Sequence, residues 1–237
     1  MPAPQPDAIA RHPHLAAPLD AGWVRVDLHS HTMWSGDSTT TPDEVEEAVV
    51  ASGLDVLCIT DHNAIRGAVE LADRLPCRVI VGEELRTHAG EIIGLFLGER
   101  IPMGIPPAEA AANIRAQGGV VYVPHPFDPM RRNMAEPALY ELARAGLLDA
   151  VEVINAKTSL RSLNERAAQF ATEFDLAAGA GSDAHVPNAL GAAFVEMPDF
   201  DGPADFLVKL RLARPVGHHW DEHRPWSARI LPSVSTD

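Results

Sequence analysis

Histidines and carboxylates recur in this chain at spacings that suit metal ligation. The run Asp27-Leu28-His29-Ser30-His31 holds an H-x-H pair. Alternate side chains of an extended segment share a face, so both imidazoles can reach one ion at about 2.0–2.1 Å. Asp37 follows in Trp34-Ser35-Gly36-Asp37, His62 in Thr60-Asp61-His62-Asn63, and Glu84 in Gly82-Glu83-Glu84. His125 stands between Pro124 and Pro126, and Asp183 and His185 repeat the alternation in Gly181-Ser182-Asp183-Ala184-His185. Each residue alone has a commonplace reading as a core histidine, a capping acid or a salt-bridged strand end. Together they are imidazoles and carboxylates whose joint burial is costly without a cation. The set exceeds the four or five ligands of a single ion and predicts two or three ions, with Glu84 as a natural bridge. Nitrogen and oxygen donors without thiolate suit Zn, Mn or Fe(II).

The elements that must position these residues are legible as alternating short apolar runs and helical patterns. Strands are predicted over Val24–Leu28, Asp55–Thr60, Arg78–Leu85, Val120–Val123, Ala150–Asn155, Ala177–Ala180 and Ala193–Met197, with Glu91–Leu97 pairing back on the third as a hairpin. Thr41-Pro42-Asp43-Glu44 reads as a capping box that opens a helix ended by Gly53. Further helices are predicted over Ala64–Leu75, Pro107–Gln117, Pro137–Ala145 and Ala204–Leu212. Leu160, Leu163, Ala167, Phe170 and Phe174 would form one apolar face of another. This order predicts an α/β fold with a mostly parallel sheet. About seven units favour a barrel, although a doubly wound sheet shows the same alternation. In either, ligands bind at the carboxyl ends of the strands, and every motif above follows a strand.

The chain has 237 residues, 46% hydrophobic and 22% charged, which fits one globular domain. Residues 1–22 read as a poorly ordered arm, 23–219 as the barrel, and 220–237 as a tail pinned by Trp220, Trp226 and Ile230. With 33 acidic against 19 basic residues the formal charge is −14, which argues against duplex nucleic acid or an anionic membrane as partner. Cys58 and Cys77 resemble neither a disulfide framework nor a zinc finger and read as reduced thiols of a cytoplasmic protein. No apolar run approaches the roughly 18–20 residues of a membrane span, and the first residues lack a secretory pattern. Oligomeric state is not legible.

Taken in order, DLHSHT with SGD, TDHN, the G-x-E glutamate, PHPFD and GSDAH resemble the polymerase and histidinol phosphatase (PHP) family over about Arg25 to Leu212. The resemblance implies a distorted seven-unit β/α barrel whose trinuclear metal centre hydrolyses phosphate esters. It implies that His29, His31, Glu84 and Asp183 hold one ion, that Glu84 bridges to a second held by His125, and that Asp37, His62 and His185 hold the third. Many family members carry another histidine on the strand after the glutamate. Here that stretch is Gly90-Glu91-Ile92-Ile93-Gly94, so Glu91 is the expected replacement and His88 a weaker one.

Asp27 and Asp61 are expected to orient imidazoles through their far nitrogens, Asp61 with a capping role as the alternative. Arg131, Arg132, Lys157 and Arg66 are candidates to grip phosphate. Asn155 would bond substrate or close a turn, and Trp34 would cover the site or stack on a base. The expected activity is hydrolysis of a small phosphorylated molecule or nucleotide, as mono- or diester. One alternative is an amidohydrolase-type attack on a C–N bond, against which no lysine stands at a strand end as a carbamate bridge. The other is a non-catalytic metal-binding module.

Overall fold

The computed structural model describes residues 12–220. Nine strands form one sheet in the order β7-β6-β5-β4-β3-β2-β1-β8-β9. They are β1 (Trp23–Ser30), β2 (Val56–Ile59), β3 (Arg78–Thr87), β4 (Gly90–Leu95), β5 (Val120–Val123), β6 (Ala150–Asn155), β7 (Ala177–Gly181), β8 (Ala193–Pro198) and β9 (Arg214–Gly217). Among β1–β7, β4 alone runs against the rest, joined to β3 by the 87–90 turn. The sheet curls until β7 meets the far end of β1. Asp183 N–H donates to His29 O (2.8 Å) and His31 N–H to Ala184 O (2.9 Å). The near half of β1 pairs instead with antiparallel β8, so β8 and β9 branch off the closing seam. The result is a nearly closed barrel.

Six helices cover the outside: α1 (Pro42–Ser52), α2 (Arg66–Ala72), α3 (Pro107–Ala116), α4 (Glu136–Arg144), α5 (Arg161–Glu173) and α6 (Gly202–Leu210). Helix α1 begins as its sequence dictates: Thr41 N–H donates to the Glu44 carboxylate (2.8 Å), and Gly53 ends the helix at φ 68°. Val26, Leu28, Cys58, Tyr122, Ala150 and Ala180 fill the barrel interior, and Ile92, Ile114, Val121, Leu139 and Phe170 lie under α3–α5. Leu160 departs from the expected apolar face. It precedes the first turn of α5 and is 60% exposed, so Ala167 and Phe170 carry the buried stripe. Strand β9 escapes sequence reading because Arg-Pro-Val-Gly has little strand character; it exists by pairing at the sheet edge, where proline is tolerated. Cys58 and Cys77 are free thiols. No helix among the described residues is long and apolar enough to cross a membrane.

From residue 12 onward, the stretch expected to be a poorly ordered arm lies against the barrel. Pro13–Ala16 forms a 3-10 turn, Leu15 is fully buried, and its carbonyl accepts from Arg25 Nη1 (3.0 Å). Trp220 lies against His12 (ring centroids 4.9 Å apart) and donates its backbone N–H to Ala156 O (2.8 Å). Residues 1–11, Trp226 and Ile230 lie outside the described residues.

His12 is 3% exposed and its Nε2 is 2.8 Å from Asn188 O. Burial lowers its pKa, more than the Asn188 bond raises it, and neighbouring His218 and His14 lower it further. The unfolded chain therefore binds the proton more readily, and stability falls as pH drops below about 6.5 toward the lower folded-state value. His12→Gln keeps a donor for Asn188 but cannot titrate. Melting from pH 5 to 8 should show a shallower acid-side loss in that variant than in the wild type; parallel curves would reject the assignment.

Candidate metal centre

Every candidate ligand reaches the same barrel edge, where the parallel strands end. His29 and His31 come from the end of β1, His62 follows β2, Glu84 lies in β3, His125 follows β5, and Asp183 and His185 follow β7. Glu91 arrives there because β4 is antiparallel: the start of β4, not its end, faces this edge. Asp37 reaches in from the loop after β1 and is exposed.

The donors fall into four overlapping groups. They are His31–Asp37–His62–His185, His29–Glu84–His125, His29–His31–Asp183 and His62–Glu84–Glu91. In the third, Nε2 of His29 and of His31 are 3.0 Å apart, and Asp183 Oδ1 is 3.7 and 3.4 Å from them. Ligands held tetrahedrally at about 2.0–2.2 Å are separated by roughly 3.3–3.6 Å, so these three atoms fit around one ion. Glu84 belongs to two of the groups and touches members of the others. Its Oε2 lies 3.3 Å from His29, 3.2 Å from His31 and 3.1 Å from His62, and its Oε1 lies 3.1 Å from His125. The grouping differs from the expected one at Glu91, which joins His62 and Glu84 rather than His125; Glu84 groups with His29 and His125 and also lies beside His31. His88 is exposed in the hairpin turn and belongs to none of them.

The charges of the donor set show why a cation fits. Burial pushes His31 down to about 4, with His185 and His62 adding to the effect, so it is the neutral imidazole that a metal requires. Burial and the charge of Glu84 push Glu91 up to about 7. Burial opposes ionisation of Glu84 too, but His29, His125 and His31 hold it well below the usual range. Nδ1 of His125 is buried without a hydrogen-bond partner. Burial lowers His29, His62 and His125, but the surrounding carboxylates outweigh it and raise all three, His62 to about 9, so a divalent ion can take the place of these protons among the same donors, and the residues present fit one.

Around this cluster is a cavity of ≈ 200 Å³ that Arg86, Met130, Arg131, Arg132 and Lys157 also line. Lys157 Nζ is 3.0 Å from His185 Nδ1 and 3.6 Å from Asp183 Oδ1, and Arg131 Nε is 3.7 Å from Asp183 Oδ2. Arg86, beside Glu91 at 3.8 Å, was not anticipated; its place two residues beyond Glu84 on β3, and so on the same face, was the available signal. Arg66 is corrected: it starts α2 on the solvent side and pairs with Glu70 one turn on. Asn155 is buried and engaged by the chain, accepting from Lys157 N (2.9 Å) and Thr158 N (3.2 Å), so it closes a turn. Trp34 packs over Gly67 of α2 with the apolar cluster there.

Asp27 and Asp61 are buried and touch no imidazole through a hydrogen bond. Asp61 accepts from Thr32 N (2.6 Å) and Thr32 Oγ1 (2.7 Å), tying the loop after β2 to the one after β1. Asp27 accepts from the backbone N–H groups of His29, Ser182 and Gly191. A carboxylate from outside the ligand groups that does reach an imidazole is Glu152 of β6, 3.1 Å from His29 Nδ1. Its signal was an acid inside the apolar run Ala150–Asn155.

The PHP domain family matches residues 27–120, and the PHP-associated family matches 161–215. An uncharacterized protein of Methanocaldococcus jannaschii is 39% identical over 146 residues, 56% of this chain and 82% of its own length. The chain belongs to the PHP family. A second uncharacterized protein of the same organism is 34% identical over 198 residues, 80% of each. In fold, this PHP chain is similar to a two-domain protein from Bacteroides vulgatus containing a predicted PHP-like metal-dependent phosphoesterase, at TM-score 0.65 and 19% identity over 91% of this chain and 70% of that one. It is also similar to Endonuclease Q, solved with a 27-mer duplex substrate bearing an abasic lesion, at TM-score 0.60 and 17% identity over 80% and 56%.

Proposed function

We propose that this PHP protein is a metal-dependent phosphoesterase acting on a small phosphorylated molecule or nucleotide. One observation carries the reading. In a chain of formal charge −14, Arg86, Arg131, Arg132 and Lys157 gather in one small cavity against a cluster of metal-ligand residues. Local positive charge at an otherwise acidic surface selects an anion, and the cavity size suits a compact one. Divalent ions held by the cluster would make water acidic enough to yield a nucleophile near neutral pH and would neutralise phosphoryl oxygens as charge builds. Lys157 and Arg131, both beside Asp183, are placed to hold the remaining phosphoryl oxygens and fix the ester against the cluster. The same acidic surface disfavours long duplex DNA, whose binding needs an extended basic track.

The test is a panel of phosphomonoesters, phosphodiesters, nucleotides and duplex oligonucleotide, with added Mn(II) or Zn(II). Turnover of small esters that a chelator abolishes supports the reading, and activity confined to duplex rejects the substrate class. On the best small ester, Arg131→Ala should raise KM by about 10-fold or more, the loss of one charge-assisted bond. An unchanged KM would remove Arg131 from the site.

A further inference from the structure

Strand β6 lends no side chain to the four ligand groups, yet it touches three ligands in two of them. We infer that Glu152 and Asn155 are positioning residues that preset His29, His125 and Asp183 for their ions. The inference rests on the metal-dependent reading above.

Glu152 is fully buried and uses both oxygens. Oε1 stands 3.1 Å from His29 Nδ1. A carboxylate oxygen accepts, so the imidazole proton sits on Nδ1 and the Nε2 lone pair faces His31, Glu84 and Asp183. Oε2 accepts from the backbone N–H of His125 (2.8 Å) and from Asn155 Nδ2 (2.9 Å). The same amide group lies 3.3 Å from Asp183 Oδ2, leaving Oδ1 toward the two histidines. One buried pair on β6 thus touches ligands delivered by β1, β5 and β7.

Two features of the backbone belong to this arrangement. A regular strand would put residues three apart on opposite faces. The register of β6 against β7 slips between Glu152 and Ile154, and this irregularity brings Glu152 and Asn155 to the same side. His125 and Asp183, two of the three ligands touched by the pair, hold φ of +28° and +49°, a region that non-glycine residues rarely occupy. Such conformations persist where surrounding contacts over-determine them, and the Glu152 bond to the His125 N–H and the Asn155 bond to the Asp183 carboxylate are among those contacts. Gly181 makes room for the pair: a Cβ there would lie 2.3 Å from His29 Cβ and 2.6 Å from Glu152 Oε1.

The test is calorimetric titration of chelator-stripped full-length protein with Zn(II), comparing wild type, Glu152→Gln and Asn155→Ala. Glutamine keeps the shape but has one oxygen, so it cannot accept from both His29 and His125. Glu152→Gln should weaken Zn(II) binding by about 10- to 100-fold with an unchanged circular dichroism spectrum. Asn155→Ala should weaken it less. With Co(II) as a spectroscopic probe, the visible absorption of Glu152→Gln should shift from that of the wild type. A lower melting temperature with unchanged Zn(II) affinity would show a merely structural role and overturn the inference. Should Glu152→Gln fail to fold, Asn155→Ala decides, and wild-type affinity there overturns it. A wild type that binds no Zn(II), Mn(II) or Co(II) overturns the metal-dependent reading itself, and this inference with it.

Discussion

Glu84→Ala should lower phosphate-ester turnover by about 10³-fold or more, roughly 4 kcal/mol of transition-state stabilisation. Among the described residues, Glu84 is the one side chain within 3.3 Å of four histidines, His29, His31, His62 and His125. Its two oxygens divide these between them, Oε1 toward His125 and Oε2 toward the other three. Alanine leaves those imidazoles without a shared anion, so two of the four groups lose a member. The fold should survive. Glu84 is held in β3 by backbone pairing opposite Ile93, and its side chain faces the polar cavity rather than the apolar core. Measurement pairs kcat/KM on the best ester with elemental analysis of metal per chain. Fewer equivalents and lost turnover in a folded variant are expected; wild-type turnover would place the chemistry elsewhere.

The reason Glu84 stood out in the sequence explains how much else was legible. Strand ends are places that sequence reveals, because an apolar run stops there, and a polar residue just past the run has a defined destination. His29, His31, His62, His125, Asp183 and His185 were placed by that rule, and β5 and β6 have the expected bounds. The rule does not say which atoms face each other across the barrel mouth. Glu91 pairs opposite Arg86, and its association with His62 depends on hairpin register and barrel curvature, which no local pattern encodes. Glu152 was missed for a related reason. An acid within an apolar strand reads locally as an anomaly, and only closure of the barrel brings His29 and the His125 backbone to it. Asp27 and Asp61 were legible as buried acids near ligands, but their partners are backbone and hydroxyl groups on other loops. Arg66 failed because motif proximity in sequence put it on a helix whose outer face meets solvent.

The correction at Asp27 carries its own consequence for stability. This carboxylate is fully buried where β1 meets β7, accepting N–H groups from His29 (3.2 Å), Ser182 (2.9 Å) and Gly191 (3.2 Å). Asp27→Ala leaves three buried donors without partners at the closing seam. Each unsatisfied group costs about 1–3 kcal/mol, so a loss on the order of 4 kcal/mol is expected, in the range that single substitutions rarely reach. For a domain of this size that lowers the melting temperature by roughly 10 °C. Burial supplies a second signature, because it pushes Asp27 up to about 6 against the opposing bonds from Ser182, His29 and Gly191. A carboxyl whose folded-state pKa is raised contributes most below its unfolded value of about 3.8, and that part is lost as pH rises through the folded value near 6. The wild type's advantage over Asp27→Ala should therefore be larger at pH 5 than at pH 8, by ~1 kcal/mol at about 1.4 kcal/mol per unit. Denaturant melts at the two pH values, on metal-free protein, measure the difference. If the gap instead widens toward pH 8, the ionised carboxylate is the stabilising form, and the three N–H bonds outweigh its burial.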